Sequence, residues 1–183
     1  MRGDRMLLQQ LSFAVAAGDV LHIKGRNGAG KSSLIEVLVG LRPAANGVVQ
    51  RPDSDQFHWI GHRNALHPDL SVLDNLQSWC RLNNVKADSI EPALDTLGVR
   101  RFRSRLARSL SMGQKRRASL ARLLLSPRPL WILDEPFSGL DAQATILVGR
   151  MMKDHLGTGG GIIVTSHQPL PGRIDRVTIL DLA

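Results

Sequence analysis

An α/β fold with an open, mainly parallel sheet is what three features of this 183-residue chain predict. Short apolar runs alternate with stretches of helical periodicity, the pattern of successive strand-helix-strand units. One such run, Val20-Leu-His-Ile23, leads into Gly25-Arg-Asn-Gly-Ala-Gly-Lys31-Ser32, and Leu34, Val37, Leu38 and Leu41 follow at helical spacing. Another, Leu130-Trp-Ile-Leu133, ends in Asp134-Glu135-Pro136, an acidic pair where a buried strand would leave the sheet.

Taken in order, residues Leu7 to Val15 read as an edge strand, and Gly18-Asp19 turns the chain into the Val20 strand. The helix after Lys31 should stop near Gly40, ahead of Pro43. Asn46-Gly47 predicts a turn into Val48-Val-Gln50, a short antiparallel strand, and Phe57-His-Trp-Ile60 a further strand ending at Gly61-His62. Ser71-Val-Leu-Asp74 has the form of a capping box, with Val72, Leu76, Trp79 and Leu82 or Asn83 on one face of the helix it starts. A second helix over Ile90 to Leu97 ends at Gly98. Met112 to Leu125 is helical and breaks before Pro127; Asp141 caps a helix running to about Leu156. Gly161-Ile-Ile-Val-Thr165 and Arg176-Val-Thr-Ile-Leu180 complete the strands. The expectation is one domain over residues 1–183, with a helical subdomain inserted at about 70–110.

Lysine and arginine outnumber aspartate and glutamate by 24 to 16, a formal charge of +8 that points to an acidic partner such as nucleic acid, anionic lipid or nucleotide. The five arginines between Arg100 and Arg108 are read as a solvated connector in preference to a nucleic-acid site, because no aromatic stacking platform is interleaved with them. A single cysteine, Cys80, excludes an internal disulfide and argues against a thiolate zinc site. No apolar run reaches the roughly 20 residues that span a bilayer, so any membrane role is expected to come through a partner.

The glycine-rich stretch has the chemistry of a phosphate cradle. Gly25, Gly28 and Gly30 let backbone N–H groups close on phosphate oxygens, with the positive end of the following helix aimed at the same place. The expected contacts come from Gly25, Arg26, Asn27, Gly28, Ala29, Gly30, Lys31, Ser32 and Ser33, with Lys31 reaching the β- and γ-phosphates and the Ser32 hydroxyl ligating Mg²⁺. Hydrolysis also requires a metal carboxylate and a base for water, the places expected for Asp134 and Glu135. At Leu110-Ser-Met-Gly-Gln114, Ser111 and Gln114 have capping-box spacing, and the same free N–H groups would suit an anion approaching Gly113.

The order of Gly25 to Ser32, Leu110 to Gln114, Leu130 to Glu135, Ser138-Gly-Leu-Asp141 and Thr165-Ser-His167 strongly resembles the ATP-binding subunits of ABC transporters, over about Leu11 to Leu182. The resemblance implies an ABC-type P-loop ATPase using ATP and Mg²⁺. It implies that Ser111, Gly113 and Gln114 close over ATP held by the phosphate loop of a second subunit, in a homodimer. Asp141 would then belong to the loop joining the two sites, and His167 would contact the γ-phosphate. Finer features resemble the haem-exporter or cytochrome c maturation branch: Gly61-His62, Gln114-Lys-Arg-Arg-Ala-Ser-Leu-Ala-Arg122, Leu130 to Phe137 and His167-Gln-Pro-Leu170. That branch implies an integral membrane partner and a peripheral place on the cytoplasmic face of the inner membrane. Alternatives are the ATPase of another small ABC exporter and a non-transport ABC protein acting on nucleic acid.

Three departures from the family pattern stand out. His62 occupies the place of a usual glutamine and is read as a candidate metal ligand beside Ser32 and Asp134. Met112 replaces a common glycine. No aromatic residue near Arg2 to Leu8 is present to stack on adenine, leaving Arg2 or Arg5 for that role.

Overall fold

The computed structural model describes residues 11–182. Its elements are β1 (Val20–Gly25), α1 (Lys31–Leu38), β2 (Phe57–Ile60), α2 (Val72–Leu82), α3 (Ile90–Thr96), α4 (Met112–Leu120), β3 (Leu130–Asp134), α5 (Ala142–Gly157), β4 (Gly161–Thr165) and β5 (Val177–Leu182). The strands form one sheet in the order β2-β3-β4-β1-β5, and every neighbouring pair is parallel.

Parallel strands are covered on both faces, and the alternation of side chains shows how. Trp131, Leu133, Ile162 and Val164 point into a core shared with α2, α3, α4 and α5, which supply Leu76, Leu94, Leu120 and Met152. Ile132, Ile163, Leu21 and Ile23 point the other way, onto Leu34 and Ile35 of α1. Each such fully buried aliphatic side chain contributes about 1.5–3 kcal/mol, so the sheet is fixed from both sides. The carboxyl ends of β1, β3 and β4 therefore emerge side by side at one rim.

The segment between β2 and β3 carries most of the helices. Ser71 accepts from the Asp74 amide at 3.0 Å and the Asp74 carboxylate accepts from the Ser71 amide at 3.3 Å, so the capping box predicted for α2 is formed. The buried face of α2 is Val72, Leu76 and Cys80, with Trp79 beside it; Leu82 is 87% exposed and lies off that face. Arg100 and Arg103 pair with Glu91, and Arg108 with Asp69, while Arg101 and Arg105 flank the ring of buried Phe102. The arginine run is thus a charged surface anchored by one aromatic residue.

Among the described residues, one predicted strand and the described part of another do not form. Within the Leu7 to Val15 prediction, residues 11–15 have no strand pairing; Phe13 and Val15 pack against the α1 side of the core without joining the ladder. Residues 48–50 are likewise unpaired and Val48 is 88% exposed, so the expected small antiparallel part is missing among the described residues. The one antiparallel pairing recorded there is an isolated bridge between Ser71 and Leu106. Apolar residues in an alternating pattern choose a face, but a ladder also needs a partner edge, and neither segment pairs with one among the described residues. The predicted roles of Arg2 and Arg5 lie outside the described residues.

Candidate active site

The glycine-rich loop leaves β1 at Gly25 and enters α1 at Lys31. Gly25 has φ +145°, and a Cβ there would lie 2.5 Å from the Leu182 carbonyl oxygen of β5, so only glycine fits against that strand. Gly30 caps α1 in the left-handed region at φ +101°, a turn that other residues adopt only with strain. Arg26, Asn27 and Gly28 are exposed along the loop, Ala29 and Ser33 are half-buried, and Lys31 is buried. The Lys31 ammonium donates to the carbonyls of Gly25 and Arg26 at 2.8 and 3.2 Å, and to His167 Nε2 at 3.1 Å. It therefore sits inside the loop's own ring of backbone groups, where a phosphate would be gripped. A cavity of about 530 Å³ opens beside it, lined by Lys24, Gly25, Arg26, Ser166, His167, Asp181 and Leu182.

Register brings the acidic pair to this loop. Asp134 ends β3 opposite Thr165 at the end of β4. Its two carboxylate oxygens are shared: Oδ1 accepts from the Thr165 hydroxyl at 2.6 Å and Oδ2 from the Ser32 hydroxyl at 2.9 Å. Ser32 and Asp134 thus present adjacent hard oxygen donors, suited to a divalent cation that also takes phosphate and water oxygens. Among the described residues no cluster of three or more His, Cys, Asp or Glu side chains forms, so these two oxygens would not make a closed protein cage. No hydrogen bond or ion pair links His62 to either among the described residues, and it is exposed on the loop after β2.

Glu135 stands one residue past Asp134, with its side chain 19% exposed. Its Oε1 is 3.2 Å from His167 Nε2 and 3.9 Å from Lys31 Nζ. Yet it makes no hydrogen bond. One carboxylate oxygen is left free to take a hydrogen from another group. His167 itself is exposed at the end of β4, and the preceding carbonyl of Ser166 is 3.3 Å from Nε2 of buried His22. Burial keeps His22 below the usual histidine pKa, hence neutral, with the Ser166 hydrogen bond opposing.

The Ser111 region lies at the start of α4 and makes a different kind of site. Ser111 Oγ accepts from the Gln114 amide at 3.3 Å, and Gln114 Oε1 accepts from the Ser111 amide at 3.0 Å. Gln114 is therefore engaged in the cap. Gly113 serves a packing need that its expected role in admitting an anion did not include: a Cβ there would lie 2.4 Å from the Gly139 carbonyl oxygen. Ser111 and Met112 face solvent, and the Asp141 carboxylate caps α5 by accepting from the Ala144 amide at 2.8 Å. Hence the structure brings Lys31, Ser32, Asp134, Glu135 and His167 together, and joins Gly113 to the Ser138-Gly139 turn.

Sequence reasoning overlooked Arg116. It is 2% exposed and donates to four neutral oxygens: Gly61 O at 2.8 Å, Asn64 Oδ1 at 3.2 Å, Pro136 O at 3.2 Å and Asp134 O at 2.6 Å. Burial lowers its pKa to about 10, with the Asp134 and Glu135 carboxylates opposing. Arg122, also buried, lies in the 3-10 turn after α4 and donates to Asn64 O at 3.1 Å, so two guanidinium groups hold the His62 loop to α4 and the turn that follows it. A signal existed: Arg116 precedes Leu120 by four residues and Leu123 by seven, which places it on the buried face of the helix.

Comparison with known proteins agrees with this geometry. The ABC transporter family profile matches residues 8–138. The cytochrome c biogenesis ATP-binding export protein CcmA of Rhodopseudomonas palustris strain BisB5 is 41% identical, over 93% of this chain and 88% of the relative. Its counterpart in Methylococcus capsulatus is 43% identical over 96% and 90%. Among solved structures, an ATP-binding subunit of an ABC transporter superposes with a TM-score of 0.81 at 25% identity, over 90% of this chain and 75% of that one. A putative ABC transporter ATP-binding protein from Pyrococcus furiosus shares the fold with a TM-score of 0.82, over 98% and 92%. The chain belongs to the ABC transporter family of ATP-binding proteins, among the cytochrome c biogenesis ATP-binding export proteins.

Proposed function

We propose that this chain is the ATP-hydrolysing subunit of the haem exporter of c-type cytochrome biogenesis, working as a homodimer on an integral membrane partner. The observation that carries the ATPase chemistry is the convergence of Lys31, Ser32, Asp134, Glu135 and His167 at adjacent strand ends. The export role rests on the relatives' shared name and their coverage of nearly the whole chain. No helix among the described residues is long and apolar enough to cross a membrane, and we place the chain at the cytoplasmic face through its partner. The charged segment at 70–110 is read as the helical subdomain that transmits the motion. Since its arginines are largely matched by Glu91, Asp95 and Asp69, the positive charge gives little support to a nucleic-acid role.

In this reading the loop amides and Lys31 hold the phosphates, and the α1 dipole adds to their field. Ser32 and Asp134 would hold Mg²⁺, which when bound would supply charge neutralisation at the phosphate oxygens. The free Glu135 oxygen accepts the proton of the attacking water, while His167 contacts the γ-phosphate from the other side. Ser111 and Gly113 of a second copy close over the same nucleotide. Glu135→Gln keeps size and polarity but removes the base. It should leave ATP binding within about threefold and slow phosphate release by at least about 100-fold. Near-normal phosphate release from that variant would overturn the mechanism.

A further inference from the structure

Glu135 is one of few non-glycine residues with positive φ, at +49°. For a residue with a Cβ this left-handed conformation costs on the order of 1 kcal/mol or more and persists only where the surroundings enforce it. Here both sides of the residue are held. Its amide donates to the Thr165 hydroxyl at 2.9 Å and to the Thr165 carbonyl at 3.2 Å. The carbonyls before and after it, on Asp134 and Pro136, accept from Arg116 at 2.6 and 3.2 Å. Thr165 is fully buried and Arg116 nearly so.

The residue types are not what packing alone would select. Arg116 makes no hydrogen bond or ion pair with a carboxylate side chain among the described residues, so its burial is not compensated by a close ion pair. What it gains is a planar fork that reaches two carbonyls flanking one residue, which an apolar side chain on that face could not do. Thr165 uses one hydroxyl twice, donating to Asp134 and accepting from the amide of Glu135.

We propose that Thr165 and Arg116 are positioning residues that clamp the Glu135 backbone so that its carboxylate faces the attacking water; this rests on the reading of Glu135 as the base. Arg116 acts through the carbonyls that flank Glu135, and Thr165 through the Glu135 amide while its hydroxyl also holds Asp134. Removing either clamp lets the peptide relax toward an ordinary φ and swings the carboxylate away from the water.

The test measures phosphate release and ATP affinity for the full chain carrying Thr165→Val, Thr165→Ser or Arg116→Gln, each also combined with Glu135→Gln. Thr165→Val is nearly isosteric and should fold; it should slow turnover about tenfold, the loss expected for one buried hydrogen bond left unmade, while Thr165→Ser stays within about twofold of wild type. Arg116→Gln should slow turnover at least as much, with ATP affinity within about threefold throughout. In the Glu135→Gln background none of these changes should slow the residual rate further. Losses that multiply in that background, wild-type turnover by Thr165→Val, or affinity falling in step with rate would overturn the proposal. Wild-type turnover by Glu135→Gln alone would instead remove the base reading beneath it.

Discussion

The rim of the sheet and the start of α4 are the two places we propose as phosphate-binding on their motifs, yet they are built in opposite ways. At the rim, residues from three distant parts of the chain meet: Lys31 touches His167, and Ser32 touches Asp134. At α4, the hydrogen bonds of Ser111 stay within the first turn of its own helix, to Gln114 and Lys115, and Ser111 and Met112 face solvent. The first region is tied together across the chain and keeps one free oxygen, on Glu135. The second presents a capped helix end whose Ser111 and Met112 are exposed, as expected for a surface that meets another molecule.

This contrast predicts unequal consequences of mutation, beginning with the largest. Lys31→Ala removes the ammonium that fills the loop, and a charge-assisted contact of this kind is worth about 1.5–3 kcal/mol. ATP affinity of the isolated chain should fall by about 10- to 100-fold, measured with a fluorescent nucleotide, whereas Ser111→Ala should leave it unchanged. Equal losses from both variants would erase the distinction between the two regions.

The scaffold can be separated from both sites by pH. Burial lowers the His58 pKa from 6.5 to about 4, against the opposing hydrogen bond to Ser126. A histidine kept neutral in the folded state contributes its full stability above pH 6.5, and that stability is lost as pH falls toward 4. The drop amounts to about 3 kcal/mol. Urea midpoints at pH 7 and pH 4.5 should show it, and His58→Gln should shrink the difference; an undiminished pH dependence in that variant would assign the effect elsewhere.

The smallest effects should come from the packing of α4. Gly113→Ala places a methyl group against the Gly139 carbonyl and should cost about 1–3 kcal/mol; Ser111→Ala loses a cap worth about 1 kcal/mol. Melting curves rank the two. A neutral Gly113→Ala would mean that the Ser138-Gly139 turn yields freely, and would uncouple it from α4.

Legibility in the sequence followed the same division between local and distant interactions. The runs at Val20, Phe57, Leu130 and Gly161 became strands because each is apolar enough to be buried on both faces. The caps at Ser71, Ser111 and Asp141 formed as spaced, since a cap involves only neighbours three residues apart. Residues 11–15 and 48–50 failed as strands because pairing depends on a remote edge that their own alternation does not encode. Arg116 figured only as part of the Gln114 to Arg122 motif, with nothing local to show which oxygens it would meet, and the two-sided role of Thr165 depends on the β3-β4 register. Those contacts arise only when strand ends are brought side by side.

The central claim is that the rim and the start of α4 are two halves of one site shared between two copies. Sedimentation of the Glu135→Gln chain with and without Mg-ATP tests it most directly. The account predicts a single copy without nucleotide, a doubled mass with ATP, and loss of that doubling when Ser111→Arg is added although ATP still binds. An ATP-saturated chain that remains a single copy would contradict it.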